Sequence, residues 1–216
     1  MITIYGAARS RATRNIWFLK ECGAEWRHVP VVQHYRADRA PGEWHTRSPE
    51  FLALSPEGAV PVMEHDGLVL GESLAINLYL AEVVGGDLGP RDAAERGRMV
   101  AAALYAATSV ETQAIRILYT HMDGRADTDA GRAEIAAASE ALRRPLAVLE
   151  ARIAAEGHPV GGRFTVADVN LAEVLRYAQG APGLIAEFPA VAAWLAAAQA
   201  RPAFRAMWAM REAEPA

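Results

Sequence analysis

Near residue 85 the apolar residues of this 216-residue chain change their period, and that change limits the fold more than any other feature. Before it, short β-type runs alternate with helical spacing; after it, alanine-rich helical spacing continues nearly to the end. Ile2–Tyr5 predicts a short buried strand. Arg11–Cys22 predicts a helix with Ala12, Ile16, Leu19 and Gly23 on one face, and Gly23 suits its C-terminal cap. Trp26–Val32 predicts a second strand. Residues 33–50 are polar, contain two prolines and read as loop, and Phe51–Leu54 reads as one helical turn. Val60–Glu64 and Leu68–Leu70 flank His65-Asp66-Gly67, and an Asp-Gly turn between β runs is a strong hairpin signal. Glu72–Val84 is helical.

Strand, helix, strand, irregular segment, hairpin, helix is the thioredoxin-like order. The expected fold is therefore α/β plus all-α: a βαβ-ββα domain over residues 1–84, a Gly/Pro-rich linker over 85–90, and an all-helical bundle domain over 91–216. In the second part, helices are expected near 91–121, 130–156, 166–178, 189–200 and 202–210, with a polar break at Met122–Thr128. Pro145 predicts a kink, or a boundary near Arg144, because proline lacks the helical N–H.

The totals narrow the function. A chain of this length buries enough surface to fold without staples. Its one cysteine, Cys22, excludes an intrachain disulfide and fits a reducing, cytoplasmic setting. The start has no basic segment followed by a long apolar run, and no window is long and apolar enough for a membrane span. A net charge of −4 lacks the basic surplus of a general nucleic-acid binder. Histidines 28, 34, 45, 65, 121 and 158 are scattered without HExxH or CxxC spacing, so no metal site is expected.

Three segments carry a resemblance. Gly58-Ala59-Val60-Pro61-Val62 followed by Gly71-Glu72-Ser73-Leu74-Ala75-Ile76 is similar to the glutathione half-site of cytosolic glutathione transferases. Phe51–Pro56 and Gly161–Asp168 also resemble that family, in the right order and across the domain boundary. The likeness is to bacterial members with a serine in the glutathione site. It implies glutathione as co-substrate, no metal, a hydrophobic electrophile as second substrate and a two-fold homodimer. Other glutathione-dependent activities (lyase, isomerase, peroxide reductase) and a non-enzymatic binding or regulatory module share the fold and stay open.

The resemblance also assigns roles. A cis Val60-Pro61 bond would turn the Val60 N–H and C=O toward the cysteinyl backbone of glutathione, although only ~5–6% of X–Pro bonds are cis by base rate. Ser73, at a helix start, would hold the γ-glutamyl carboxylate on its N–H and hydroxyl, where free amides and the dipole favour anions. Glu72 would reach the α-amino group. Ser10 occupies the place of the catalytic serine and would donate to the thiol sulfur; Thr13 is the reserve, and Ser10 also suits a plain helix cap. Arg47, or His45, matches the basic residue for the glycyl carboxylate. Arg9, Arg11 and Arg14 cluster at a helix start, which suits either an anionic ligand or a solvated face. Tyr105, Ser109, Arg116 and Trp208 are candidates for the electrophile pocket, although residues of the Tyr105 and Ser109 kind on a helix are more often core. Thr165-Val166-Ala167-Asp168 is a capping box, a structural device. Cys22 reads as a buried structural thiol.

Overall fold

A computed structural model describes residues 1–39 and 44–214. They form two compact units, one of Met1–Gly89 with Arg201–Ala216, the other of Pro90–Ala200.

The first unit is built on a mixed sheet. Its strands are β1 (Ile2–Tyr5), β2 (Trp26–Val29), β5 (Val62–His65) and β6 (Leu68–Leu70), in the order β2-β1-β5-β6. β1 runs parallel to β2 and antiparallel to β5, and β5 pairs antiparallel with β6. Between β5 and β6, Asp66 (φ 49°) and Gly67 (φ 84°) take the two positive φ angles that a tight hairpin needs. The expected strand Trp26–Val32 is split. Pro30 has no N–H for a ladder, so β2 stops at Val29 and β3 (Val31–Val32) pairs instead with β4 (Trp44–His45). β4 lies in the segment read as loop: two residues are too few to show a period. A 3-10 turn, His34–Arg39, sits in the same segment.

α1 (Ala12–Cys22) follows β1 and ends at Gly23 in the left-handed region, φ 60°. Every residue from Ala12 to Leu19 is buried, more than one face allows. The reason is that α1 packs against both α3 (Ser73–Val83) and α9 (Pro202–Ala213). Trp17 meets Phe204 edge-on at 4.9 Å. Arg201 donates through Nε and a terminal nitrogen to the two oxygens of Glu21, each at 2.8 Å. The sequence reading grouped this last helix with residues 91–216; its packing groups it with the first unit instead. α2 (Pro49–Leu54) starts with proline in its first turn and buries Phe51 against Tyr5, Val31 and Val62.

The second unit is helical. α4 (Ala93–Tyr105) continues through a π-helical turn, Ala106–Glu111, into α5 (Thr112–Met122). α6 (Asp129–Glu156) runs unbroken through Pro145, so the expected boundary near Arg144 is not there. Leu142, Leu146 and Leu149 are each at most 1% exposed. Burying three such side chains is worth about 1.5–3 kcal/mol each, which outweighs a proline cost of about 3 kcal/mol. All of α7 (Val166–Leu175) is buried. Its capping box is present: Thr165 Oγ1 accepts from the Ala167 N–H, and Asp168 Oδ2 from the Thr165 N–H. Asp168 also accepts from Trp194 Nε1, at 2.8 Å, on α8 (Pro189–Gln199).

Candidate functional site

In the first unit the loop between β1 and α1 meets the turn before β5, and α1 meets the start of α3 through Arg14 and Asn15. Gly6 allows the first of these approaches. A Cβ there would stand 3.1 Å from the Ala12 Cβ and 3.4 Å from the Val60 Cβ, and its φ of 150° suits glycine. The Val60-Pro61 bond is cis, as the resemblance implied.

Ser73 opens α3 and is 3% exposed. Arg14, in the first turn of α1, donates to its Oγ at 3.0 Å. Asn15 Nδ2 donates to the Ser73 carbonyl at 2.9 Å and to Asn77 Oδ1 at 2.7 Å, while Asn77 Nδ2 donates back to the Arg14 carbonyl at 3.1 Å. Glu72, just before, is exposed and makes no capping bond with its side chain. Its backbone sits at φ 62° and ψ 100°, a region that costs a side chain of this kind about 1–3 kcal/mol.

Ser10 is half-buried on the loop. Its Oγ donates to the Ala7 carbonyl at 2.6 Å and accepts from the Ala12 N–H at 3.0 Å. It therefore secures the start of α1, and its proton must turn away from Ala7 to serve a ligand. Thr13 is fully buried and its hydroxyl donates to the Ser10 carbonyl at 3.0 Å. The three clustered arginines separate. Arg11 is exposed, Arg9 Nε donates to the Glu214 carbonyl at 2.9 Å, and Arg14 turns inward to Ser73. The Glu214 carboxylate also accepts from the backbone N–H groups of Ala8 (2.6 Å) and Arg9 (2.8 Å). The end of α9 thus ties down the loop that carries Ser10. Sequence reading missed this contact, which joins residues 206 positions apart and leaves no local pattern.

The other candidates have contacts of their own. Arg47 is exposed, and its N–H donates to Nδ1 of half-buried His45 at 3.2 Å. Tyr105, Ser109 and Arg116 belong to the helical unit and Trp208 to the first. The Tyr105 hydroxyl donates to the Pro145 carbonyl at 3.1 Å. Arg116 donates to Glu134 at 2.7 Å and to Gln113 at 2.6 Å. Trp208 stacks on Phe204 and donates to Glu212 at 2.9 Å. Burial pushes the Cys22 thiol up to about 12, far from the thiolate form a nucleophile needs. Among the described residues no group of three His, Cys, Asp or Glu could hold a metal, and no helix is long and apolar enough to cross a membrane.

Comparison with known proteins shows the family. Residues 9–83 match the family model for the glutathione S-transferase N-terminal domain, and residues 132–197 that for the C-terminal domain. Glutathione S-transferase 3 of Zea mays is 34% identical over 220 residues, covering 94% of this chain and 91% of that protein. Maleylacetoacetate isomerase of Rhizobium meliloti is 33% identical over 168 residues, covering 76% and 73%. The solved structure of glutathione S-transferase III in apo form superposes with a TM-score of 0.78 at 31% identity, over 100% of this chain and 97% of that one. A glutathione S-transferase-I structure bound with lactoylglutathione gives 0.81 at 27% identity, over 97% and 99%. The chain belongs to the glutathione S-transferase family.

Proposed function

We propose that this protein is a glutathione transferase that joins the glutathione thiolate to a hydrophobic electrophile, with Ser10 as the thiol-activating residue. The observation that carries the reading is the start of α3. There a buried serine opens a helix beside an exposed, conformationally constrained glutamate. Ser73 holds the γ-glutamyl carboxylate on its N–H and hydroxyl, and Glu72 holds the α-amino group. The Val60 backbone pairs with the cysteinyl segment, and Arg47 reaches the glycyl carboxylate.

A free thiol of pKa ~8.5 is mostly protonated near neutrality, so activation means favouring the anion. Exchanging the Ala7 carbonyl for sulfur as acceptor lets the Ser10 hydroxyl do so. Thr13 is the weaker choice because its hydroxyl is buried and turned back onto Ser10. Tyr105, Ser109, Arg116 and Trp208 remain the candidates for the electrophile side. The protein acts in the cytoplasm as a homodimer. A glutathione-dependent isomerase is the second reading, supported by the Rhizobium meliloti relative.

Calorimetric titration with glutathione tests the site. Wild type should bind in the micromolar to low-millimolar range, and Glu72→Ala should bind more weakly; equal affinities would remove Glu72 from the site. Ser10→Ala should then raise the pKa of the bound thiol and slow conjugation of a nitro-activated aryl halide by roughly 10- to 100-fold, a milder loss than for a true oxyanion donor. An unchanged rate and thiol pKa would reject Ser10. Turnover of an isomerisable substrate without glutathione consumption would favour the second reading.

A further inference from the structure

We infer that Glu214 is a positioning residue for Ser10: its carboxylate fixes the two peptide units that precede the serine and so sets the direction in which the Ser10 hydroxyl can donate. This rests on the proposed role of Ser10 and adds a residue that acts on the thiol only through it.

The loop between β1 and α1 is anchored at one end by the sheet and at the other by α1. Gly6 donates to the Val29 carbonyl at 3.0 Å, and its own carbonyl pairs with His28 Nε2 at 2.7 Å. The Ser10 carbonyl accepts from the Thr13 hydroxyl at 3.0 Å. Between those anchors Ala8 is 1% exposed, so its N–H and C=O need partners inside the protein. The end of α9 supplies them. Glu214 accepts the Ala8 N–H on Oε1 at 2.6 Å and the Arg9 N–H on Oε2 at 2.8 Å. Arg211 donates to the Ala8 carbonyl at 3.3 Å, and Arg9 Nε donates in return to the Glu214 carbonyl at 2.9 Å.

A trans peptide is planar, so holding its N–H fixes where its C=O points. The Ala8 N–H and the Ala7 carbonyl belong to one such unit. Glu214 holds it from one side, and from the other the Ser10 hydroxyl donates to the Ala7 carbonyl at 2.6 Å. The next unit is held in the same way, by Glu214 at the Arg9 N–H and by Arg211 at the Ala8 carbonyl. Ser10 Oγ also accepts from the Ala12 N–H at 3.0 Å, a bond that does not use its proton. The oxygen thus stays in place while the proton exchanges the Ala7 carbonyl for sulfur. Without Glu214 the buried Ala8 N–H loses a charge-assisted acceptor. The Ala7–Ala8 unit must then rotate to find another, and the carbonyl that orients Ser10 moves with it.

A double-mutant cycle separates this role from simple fastening of the tail. Conjugation of a nitro-activated aryl halide and ultraviolet titration of the bound thiol are measured on the full chain, Glu214→Ala, Ser10→Ala and the double variant. Glu214→Ala should lower kcat roughly 3- to 30-fold and raise the thiol pKa, while KM for glutathione shifts less than about threefold. In the Ser10→Ala background the same change should cost nothing further, because Glu214 acts through the missing hydroxyl. Glu214→Gln keeps one acceptor oxygen and should recover part of the rate; it carries the test if the alanine variant does not fold. An unchanged kcat, or a loss as large without Ser10 as with it, would overturn the inference. Hydrogen exchange adds a readout that needs no turnover: the Ala8 and Arg9 amides should exchange faster in Glu214→Ala, and unchanged protection overturns the clamp whatever Ser10 does. Ser10→Ala as fast as wild type rejects the Ser10 reading itself, and the positioning role falls with it; a slow Ser10→Ala beside an unaffected Glu214→Ala rejects Glu214 alone.

Discussion

Glu72 combines a strained backbone with a proposed binding role. Its φ of 62° with ψ 100° is a conformation that glycine adopts freely and a glutamate does not. The strain falls on the residue proposed here to hold the α-amino group of glutathione. Glu72→Gly should therefore raise stability by about 1 kcal/mol, or ~2–4 °C in Tm for a chain of this size, and at the same time weaken glutathione binding. Thermal unfolding and calorimetry on the same sample check both signs; a drop in stability would show that the backbone is not strained there. At this scale the sequence marked Glu72-Ser73 as a helix start, and Ser73 does open α3. The sequence was ambiguous about the arginines. Arg9, Arg11 and Arg14 look alike in a string, and only the packing of α1 against α3 turns Arg14 toward Ser73.

The entry of α4 carries a charge device of its own. Asp92 caps the helix by accepting from the Glu95 N–H at 2.7 Å, and Glu95 accepts in turn from the Arg91 N–H at 2.7 Å. Arg163 closes on the same carboxylate with a fork of two nitrogens, the longer contact being 2.9 Å. The hydrogen bond from Arg163 holds the Glu95 carboxyl at about 2, against 4.5 for an ordinary glutamate. A pKa lowered by folding contributes stability that is fully present above about pH 4.5 and is lost as pH falls through about 2. Glu95→Gln should be less stable than wild type near neutrality, and the gap should shrink as the pH falls across that window. Urea titrations at several pH values measure it; a gap independent of pH would remove the carboxylate from the account. Elements were legible where the period is long. The spacing in α1 and the Asp-Gly turn gave their own ends, whereas β4 is too short for a period and α6 ignores its proline because buried leucines outweigh one lost bond.

For the whole molecule, the proposed homodimer has a testable surface. Val100 and Leu104, one turn apart on α4, are 40% and 61% exposed, unusual for aliphatic side chains on a helix that also buries Met99 and Ala103. Apolar side chains of this kind commonly mark a protein interface when they fall together. Sedimentation at micromolar concentration should find a dimer, and Leu104→Arg should shift it toward monomer; a wild-type monomer would end the proposal.

The sequence by itself determined the thioredoxin-like order, the helical second part, the capping box at Thr165 and the helix start at Ser73. Each rests on residues within a few positions of one another, where period, turn chemistry and capping act locally. The tertiary structure decided the rest. It placed α9 on α1, set the Glu214 carboxylate on the Ala8 and Arg9 amides, split the second strand at Pro30 and buried Arg14 beneath Ser73. Most of those contacts join residues far apart in the chain, and all depend on which surfaces meet once the apolar faces are buried, which no local pattern records.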